Sequence, residues 1–174
     1  VHSGPRRRTS SIVTSDLPPR REAWSGATSG ELIAGRDEAF SHLAELAAGL
    51  CWAPIGMVSV VLEPWLYLTG AYGVDADRVL LERSLGRHVM EQEGVFQVED
   101  VAAHPKFAKY PVMMTGRIGF YAGAPIHLPS GQKIGAICVC DVIPRELKVW
   151  QVRGLKLLAE QTDQLVELRL RQAG

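Results

Sequence analysis

From Asp37 onward apolar side chains recur at helical steps, Phe40, Leu43, Ala44, Leu46, Ala47 and Leu50, and Asp37 supplies a carboxylate for the free N–H groups of a helix start. This pattern predicts a helix that ends near Trp52, just before Pro54. Two β-rich runs follow, IGMVSVVL over 55–62 and WLYLTGAY over 65–72, with Glu63-Pro64 as the turn of an antiparallel hairpin. Residues 75–93 read as helical or irregular, and Gly94 introduces a short strand over 95–98. A long connection then carries Asp100, His104-Pro105, Phe107, Tyr110-Pro111 and Gly116. Structured connections of this length are disproportionately functional.

The clearest strands lie over 120–128 and 133–141, joined by a Pro129-Ser130-Gly131 turn. Alternation in KIGAICVCD puts Ile134, Ala136, Cys138 and Cys140 on one face and Gly135, Ile137, Val139 and Asp141 on the other. Both faces are small or apolar, so the strand is expected to be covered on two sides. Residues 147–172 return to helical spacing, with Trp150, Leu155, Leu158, Ala159, Thr162, Leu165 and Val166 in three- and four-residue steps. The predicted helix is longer than one small sheet face, and a two-fold copy of itself is the simplest cover for the surplus turns.

Residues 1–36 break this picture. Three arginines (Arg6, Arg7, Arg8), Pro18-Pro19, Arg20-Arg21 and a Ser/Gly/Thr-rich stretch lack periodic continuation, and the segment reads as a flexible N-terminal arm. The chain therefore divides into this arm and one domain over 37–174 that ends in the long helix. With 47% hydrophobic and 22% charged residues among 174, the domain has apolar side chain enough for a core. Acidic and basic residues both number 19, which gives no argument for nucleic acid or an anionic membrane as partner. No apolar run reaches the roughly 20 residues of a membrane span, so a cytoplasmic location is expected. Cys51, Cys138 and Cys140 are odd in number and sit in apolar runs, as reduced buried thiols do. They lack the second Cys or His pair of a zinc site, and no metal is expected.

From residue 98 the chain carries VEDVAAHPKFAKYPV, GFYAGAPI, GQKIGAICVCD and PREL in order, and this series resembles the GAF domains of bacterial signalling proteins, the type found with diguanylate cyclases and histidine kinases. The first helix and the API-x-x-VSV strand match as well, extending the likeness over roughly 37–171. The resemblance implies an α+β fold: a central antiparallel sheet of five or six strands, the N- and C-terminal helices on one face, and a pocket-forming connection on the other. It also implies a non-catalytic sensory role in which a small ligand binds beside the sheet, or the terminal helices form a homodimer, and an attached output domain or partner signalling protein responds. The cofactor is unknown. Two positions depart from the family: Gly86 replaces a Cys frequent in relatives, in the region that supplies the chromophore-linking Cys of some bilin-binding GAF domains, and Gly119 stands where many relatives have Arg.

The candidate ligand-binding residues are His88, Asp100, Phe107, Tyr110, Tyr121 and Asp141. Imidazole serves equally as a ligand contact, a haem ligand or a satisfied interior group, and the sequence leaves the three open for His88. Asp100 and Asp141 end strands, where a carboxylate also caps a turn. Phe107, Tyr110 and Tyr121 suit the wall around a planar ligand, with Phe120 and Tyr121 on opposite sheet faces. The enzyme alternative on this fold is free methionine-(R)-sulfoxide reductase, which needs an accessible thiolate and a resolving thiol. No Cys lies between Gly86 and Val101, where such a pair is expected. A haem- or chromophore-binding sensor is the other alternative.

Overall fold

The computed structural model describes Ser29, residues 33–110 and residues 118–173. Helix α1 (Glu38–Cys51) is capped by Asp37, which has extended backbone and whose carboxylate accepts from the N–H groups of Ala39 and Phe40. It stops at Trp52, which takes a left-handed conformation with φ 53° and returns its N–H to the carbonyls of Ala48 and Gly49. Strands β1 (Ile55–Leu62) and β2 (Trp65–Tyr72) form the predicted hairpin. After β3 (Arg78–Leu80) come the short helix α2 (Gly86–Met90) and the edge strand β4 (Phe96–Val98). Strands β5 (Phe120–His127) and β6 (Lys133–Asp141) precede the 25-residue helix α3 (Val149–Ala173).

The six strands make one antiparallel sheet in the order β3-β2-β1-β6-β5-β4. Strand β3 falls inside the stretch expected to be helical or irregular, and three residues are too few to show alternation. Its pairing comes instead from β2, which offers a free edge to Arg78–Leu80. Another correction concerns the domain boundary. Ile33 is buried in the core, the carbonyl of Gly35 accepts from the Thr69 hydroxyl at 2.7 Å, and Asp37 N–H donates to the Thr69 carbonyl at 2.8 Å. The packed domain therefore includes residues 33–36, which the pattern assigns to the arm; residues 1–28 and 30–32 lie outside the described residues.

Helices α1 and α3 share one face of the sheet and pack on each other, α1 over β1 and β2, α3 over β5 and β6. Gly56 and Gly70 permit this approach. A Cβ on Gly56 would lie 2.0 Å from the Ala44 carbonyl oxygen, and one on Gly70 2.3 Å from that of Phe40, so only hydrogen fits beneath α1. The helix-side core joins Phe40, Ala44, Val58, Val60, Phe120, Ile126, Ile137, Val139, Leu155 and Val166. A second core on the opposite face joins Leu85, Val89, Val98, Val101, Phe107, Tyr121, Cys138 and Cys140. Strand β6 is buried along all but its first residue, as two-sided cover requires. Ile134 departs from the predicted face and joins the helix-side core, where the β5–β6 ladder shifts register at Ile126/His127.

Candidate functional site

On the sheet face away from α1 and α3, three segments deliver aromatic rings to one place. Tyr121 rises from β5, where alternation sends Phe120 to the helix-side core and Tyr121 to the other face. His88 comes from α2, and Phe107 and Tyr110 come from the connection between β4 and β5. The ring centroids of His88 and Phe107 are 5.0 Å apart, those of His88 and Tyr110 6.2 Å, and those of Phe107 and Tyr110 5.5 Å. Phe96, which the sequence reading did not single out, stands 5.9 Å from Phe107 and 6.1 Å from both His88 and Tyr121. Its place on an edge strand behind Gly94 was the available sign. His104 prepares the turn that presents Phe107: it stacks on that ring at 4.2 Å, and its Nδ1 accepts from the N–H of Lys106 and Phe107.

His88 is buried and bonded on both nitrogens, Nδ1 to Glu91 Oε2 at 2.9 Å and Nε2 to the Tyr110 hydroxyl at 2.8 Å. The Glu91 carboxylate is acceptor only, so Nδ1–H donates to it. The bond from His88 also holds the Glu91 carboxyl below its ordinary range. Beneath the rings the Tyr121 hydroxyl is buried beside the Cys138 thiol, and it makes no hydrogen bond of ordinary geometry among the described residues. Burial pushes this phenol well above its usual range, and the neighbouring thiols add to the shift.

The two carboxylates among the six candidates stand apart from the rings. Asp100 is at the surface side of the connection and accepts from Ala103 N–H at 3.1 Å, a turn cap. Asp141 pairs with Phe120 in the ladder and so faces the helix side. Its Oδ1 accepts from Val142 and Ile143 N–H, and its Oδ2 is ion-paired with Arg145. Arg145 also donates to the carbonyls of Cys51 and Trp52 at 2.9 and 2.7 Å, closing the C-terminal end of α1. The structure thus brings four of the six candidates together and gives the other two turn and ion-pair roles. An open concavity of about 220 Å³ beside Arg145 is lined by Cys51, Trp52, Ile143, Glu146, Lys148 and Gln151, on the far side of the sheet from the rings.

The fold compares closely with solved structures. A GAF domain of a phosphoenolpyruvate-protein phosphotransferase from Acinetobacter matches with a TM-score of 0.60 and 14% identity, over 74% of this chain and 79% of that one. The chain has the GAF fold. A second similar structure is a domain of a putative two-component sensor histidine kinase protein from Sinorhizobium meliloti, with TM-score 0.61, 14% identity, and coverage of 78% and 94%. Another is a free methionine-R-sulfoxide reductase from Neisseria meningitidis, with TM-score 0.62, 17% identity, and coverage of 83% of each chain. By sequence, a cyclic di-GMP phosphodiesterase of Pseudomonas aeruginosa is 32% identical over 117 residues, which is 67% of this chain and 20% of that protein. The chain thus spans about a fifth of the length of this relative. No protein-family model matches the chain.

GAF architecture accounts for the site's two-sided construction: the terminal helices occupy one sheet face and the connection folds its rings onto the other. All three thiols of the chain are buried and free. Burial pushes Cys51 up to about 11 and Cys138 up to about 12, and raises Cys140 well above its usual range. A thiol so shifted carries almost no thiolate near neutral pH.

Proposed function

We propose that this chain is a non-catalytic sensory or regulatory GAF domain of a signalling protein, with its ligand site on the ring-bearing sheet face. The carrying observation is the convergence of His88, Phe107, Tyr110 and Tyr121, joined by Phe96, on the face opposite the terminal helices. Aromatic walls around a few polar groups suit a small planar ligand. The rings touch one another, so ligand entry opens the His88–Tyr110 bond. Asp100 and Asp141 belong to the ligand reading only as residues that fix the ends of the connection and of β6. The identity with part of a cyclic di-GMP phosphodiesterase supports an output module of comparable kind, attached or on a partner protein.

Signal transfer runs through the sheet to α3, and a second copy docks along it. Trp150, Leu157 and Leu168 are exposed on α3 at spacings of seven and eleven residues, which is one helical stripe. The test is native mass spectrometry of freshly purified protein, with a visible spectrum to detect haem or another chromophore. A retained small molecule whose release changes hydrogen exchange in the connection and α3 supports the proposal. Identical exchange in loaded and emptied protein sinks it.

The reductase reading is favoured by one observation, the likeness to the Neisseria enzyme. The buried thiols, shifted upward by burial, weigh against it. Turnover of free methionine-(R)-sulfoxide with a thioredoxin system would establish that reading in place of ours.

A further inference from the structure

The carboxylate that starts α1 also holds the end of α3. Asp37 accepts from the N–H groups of Ala39 at 2.8 Å and Phe40 at 3.4 Å as the N-cap of α1. The same group receives Arg169 in a two-pronged pair, Nε to Oδ2 at 2.6 Å and Nη2 to Oδ1 at 3.2 Å. The two residues are 132 apart in sequence, and they join the first helix of the domain to the last turns of the final one. The hydrogen bond from Arg169 holds the Asp37 carboxyl below its ordinary range, and the backbone N–H groups of Ala39 and Phe40 act in the same direction.

Beyond this point α3 has little else to hold it. Val166 is its last fully buried residue. Leu170 packs only at the edge of the core, and residues 171–173 are exposed. Arg169 itself turns its remaining nitrogen to Gln172 within the same helix, and the neighbouring Arg171–Glu167 pair is also internal to α3. The side-chain fastening of α3 to β5, His127 with Asp163, lies six residues earlier. Arg36, Glu38 and His42 rim the clamp; Arg36 is engaged with Asp77 and Ala76, and Glu38 with His42.

We propose that Asp37–Arg169 is a release clamp: it couples the final seven residues of α3 to the sensor core, and its opening frees them while α1 keeps its cap. A partly exposed ion pair is weak and screened by salt, so modest changes in the core shift it between closed and open. The cap does not depend on the clamp, because the Ala39 and Phe40 bonds need only the carboxylate oxygens. This inference rests on the reading that α3 carries the output.

Hydrogen exchange on the full chain tests it. Asp37→Asn keeps a competent N-cap and removes the charge, whereas Asp37→Ala removes both. Arg169→Gln removes the other partner. Expected is exchange about two- to fivefold faster over residues 167–173 in Asp37→Asn and in Arg169→Gln, with the first turn of α1 unchanged. The double variant should exceed neither single one, and Asp37→Ala alone should also loosen α1. Raising salt in the unaltered protein should reproduce the release without any substitution. Unchanged exchange over 167–173 in both single variants and in high salt overturns the clamp. If the clamp behaves as stated but a ligand that binds the ring face never alters exchange in α3, the sensory reading fails and the clamp stands.

Discussion

The hydroxyl of Tyr110 is hydrogen-bonded to Nε2 of His88 across 2.8 Å, so a single hydrogen bond ties the connection between β4 and β5 to helix α2 over the sheet. Removing the hydroxyl leaves a buried ring nitrogen unpaired. Tyr110→Phe should lower stability by about 1–2 kcal/mol, with a fall in Tm of roughly 2–6 °C by calorimetry. The double variant His88→Phe with Tyr110→Phe should cost less than the sum of the two singles, because no polar partner is then stranded.

Gly56→Ala sets a methyl group 2.0 Å from the Ala44 carbonyl oxygen, against backbone that cannot move aside without lifting α1. The expected loss is about 3 kcal/mol or more, read as a lower denaturant midpoint or as failure to accumulate folded protein. Gly49→Ala is the contrasting case. It lies within α1 with nothing within 4 Å of the new Cβ, and it should stabilise by about 0.5–1 kcal/mol.

The buried thiols set an alkaline limit. Cys51 and Cys138 have folded values of about 11 and about 12 against ordinary values of 9.0, so between these the unfolded chain loses protons that the folded chain keeps. Stability is therefore unaffected by these groups below about pH 9 and falls as pH rises above it. Thermal melts from pH 8 to pH 10.5 should show a decline beginning near pH 9, and an aromatic disulfide reagent at pH 8 should label the thiols only after denaturant is added.

Asp37 sets a limit on the acid side. Its folded value is lowered chiefly by the hydrogen bond from Arg169, so its contribution is complete above the ordinary value of 3.8 and is lost as pH falls through the lowered one. Melts taken from pH 6 to pH 2.5 should show a shallower acid decline in Asp37→Asn than in the unaltered protein.

Much of the fold was legible because it is written in local periodicity. The alternation in β6 beyond Ile134, the helical spacing after Asp37 and the Pro129-Ser130-Gly131 turn each depend on neighbours in sequence, and each stands in the structure where the pattern put it. Strand β3 was hidden because three residues show no period, and residues 33–36 because their order comes from Thr69 and Ala76, which lie on distant segments. The ring cluster was legible in kind but not in membership. Phe107, Tyr110 and His88 announced themselves as aromatic and titratable groups in a long connection and a short helix, yet nothing local says that Phe96 joins them or that Asp141 turns to Arg145 instead.

By itself, then, the sequence determined the longer elements, their order and the two-sided burial of β6, since these follow from side-chain spacing and backbone preference. Only the tertiary structure decided which polar groups meet. His88 with Tyr110, Arg145 with the end of α1, and Arg169 with Asp37 join residues 22, 93 and 132 positions apart. Hydrogen bonds act over about 3 Å, so such partners exist only once sheet and helices have packed.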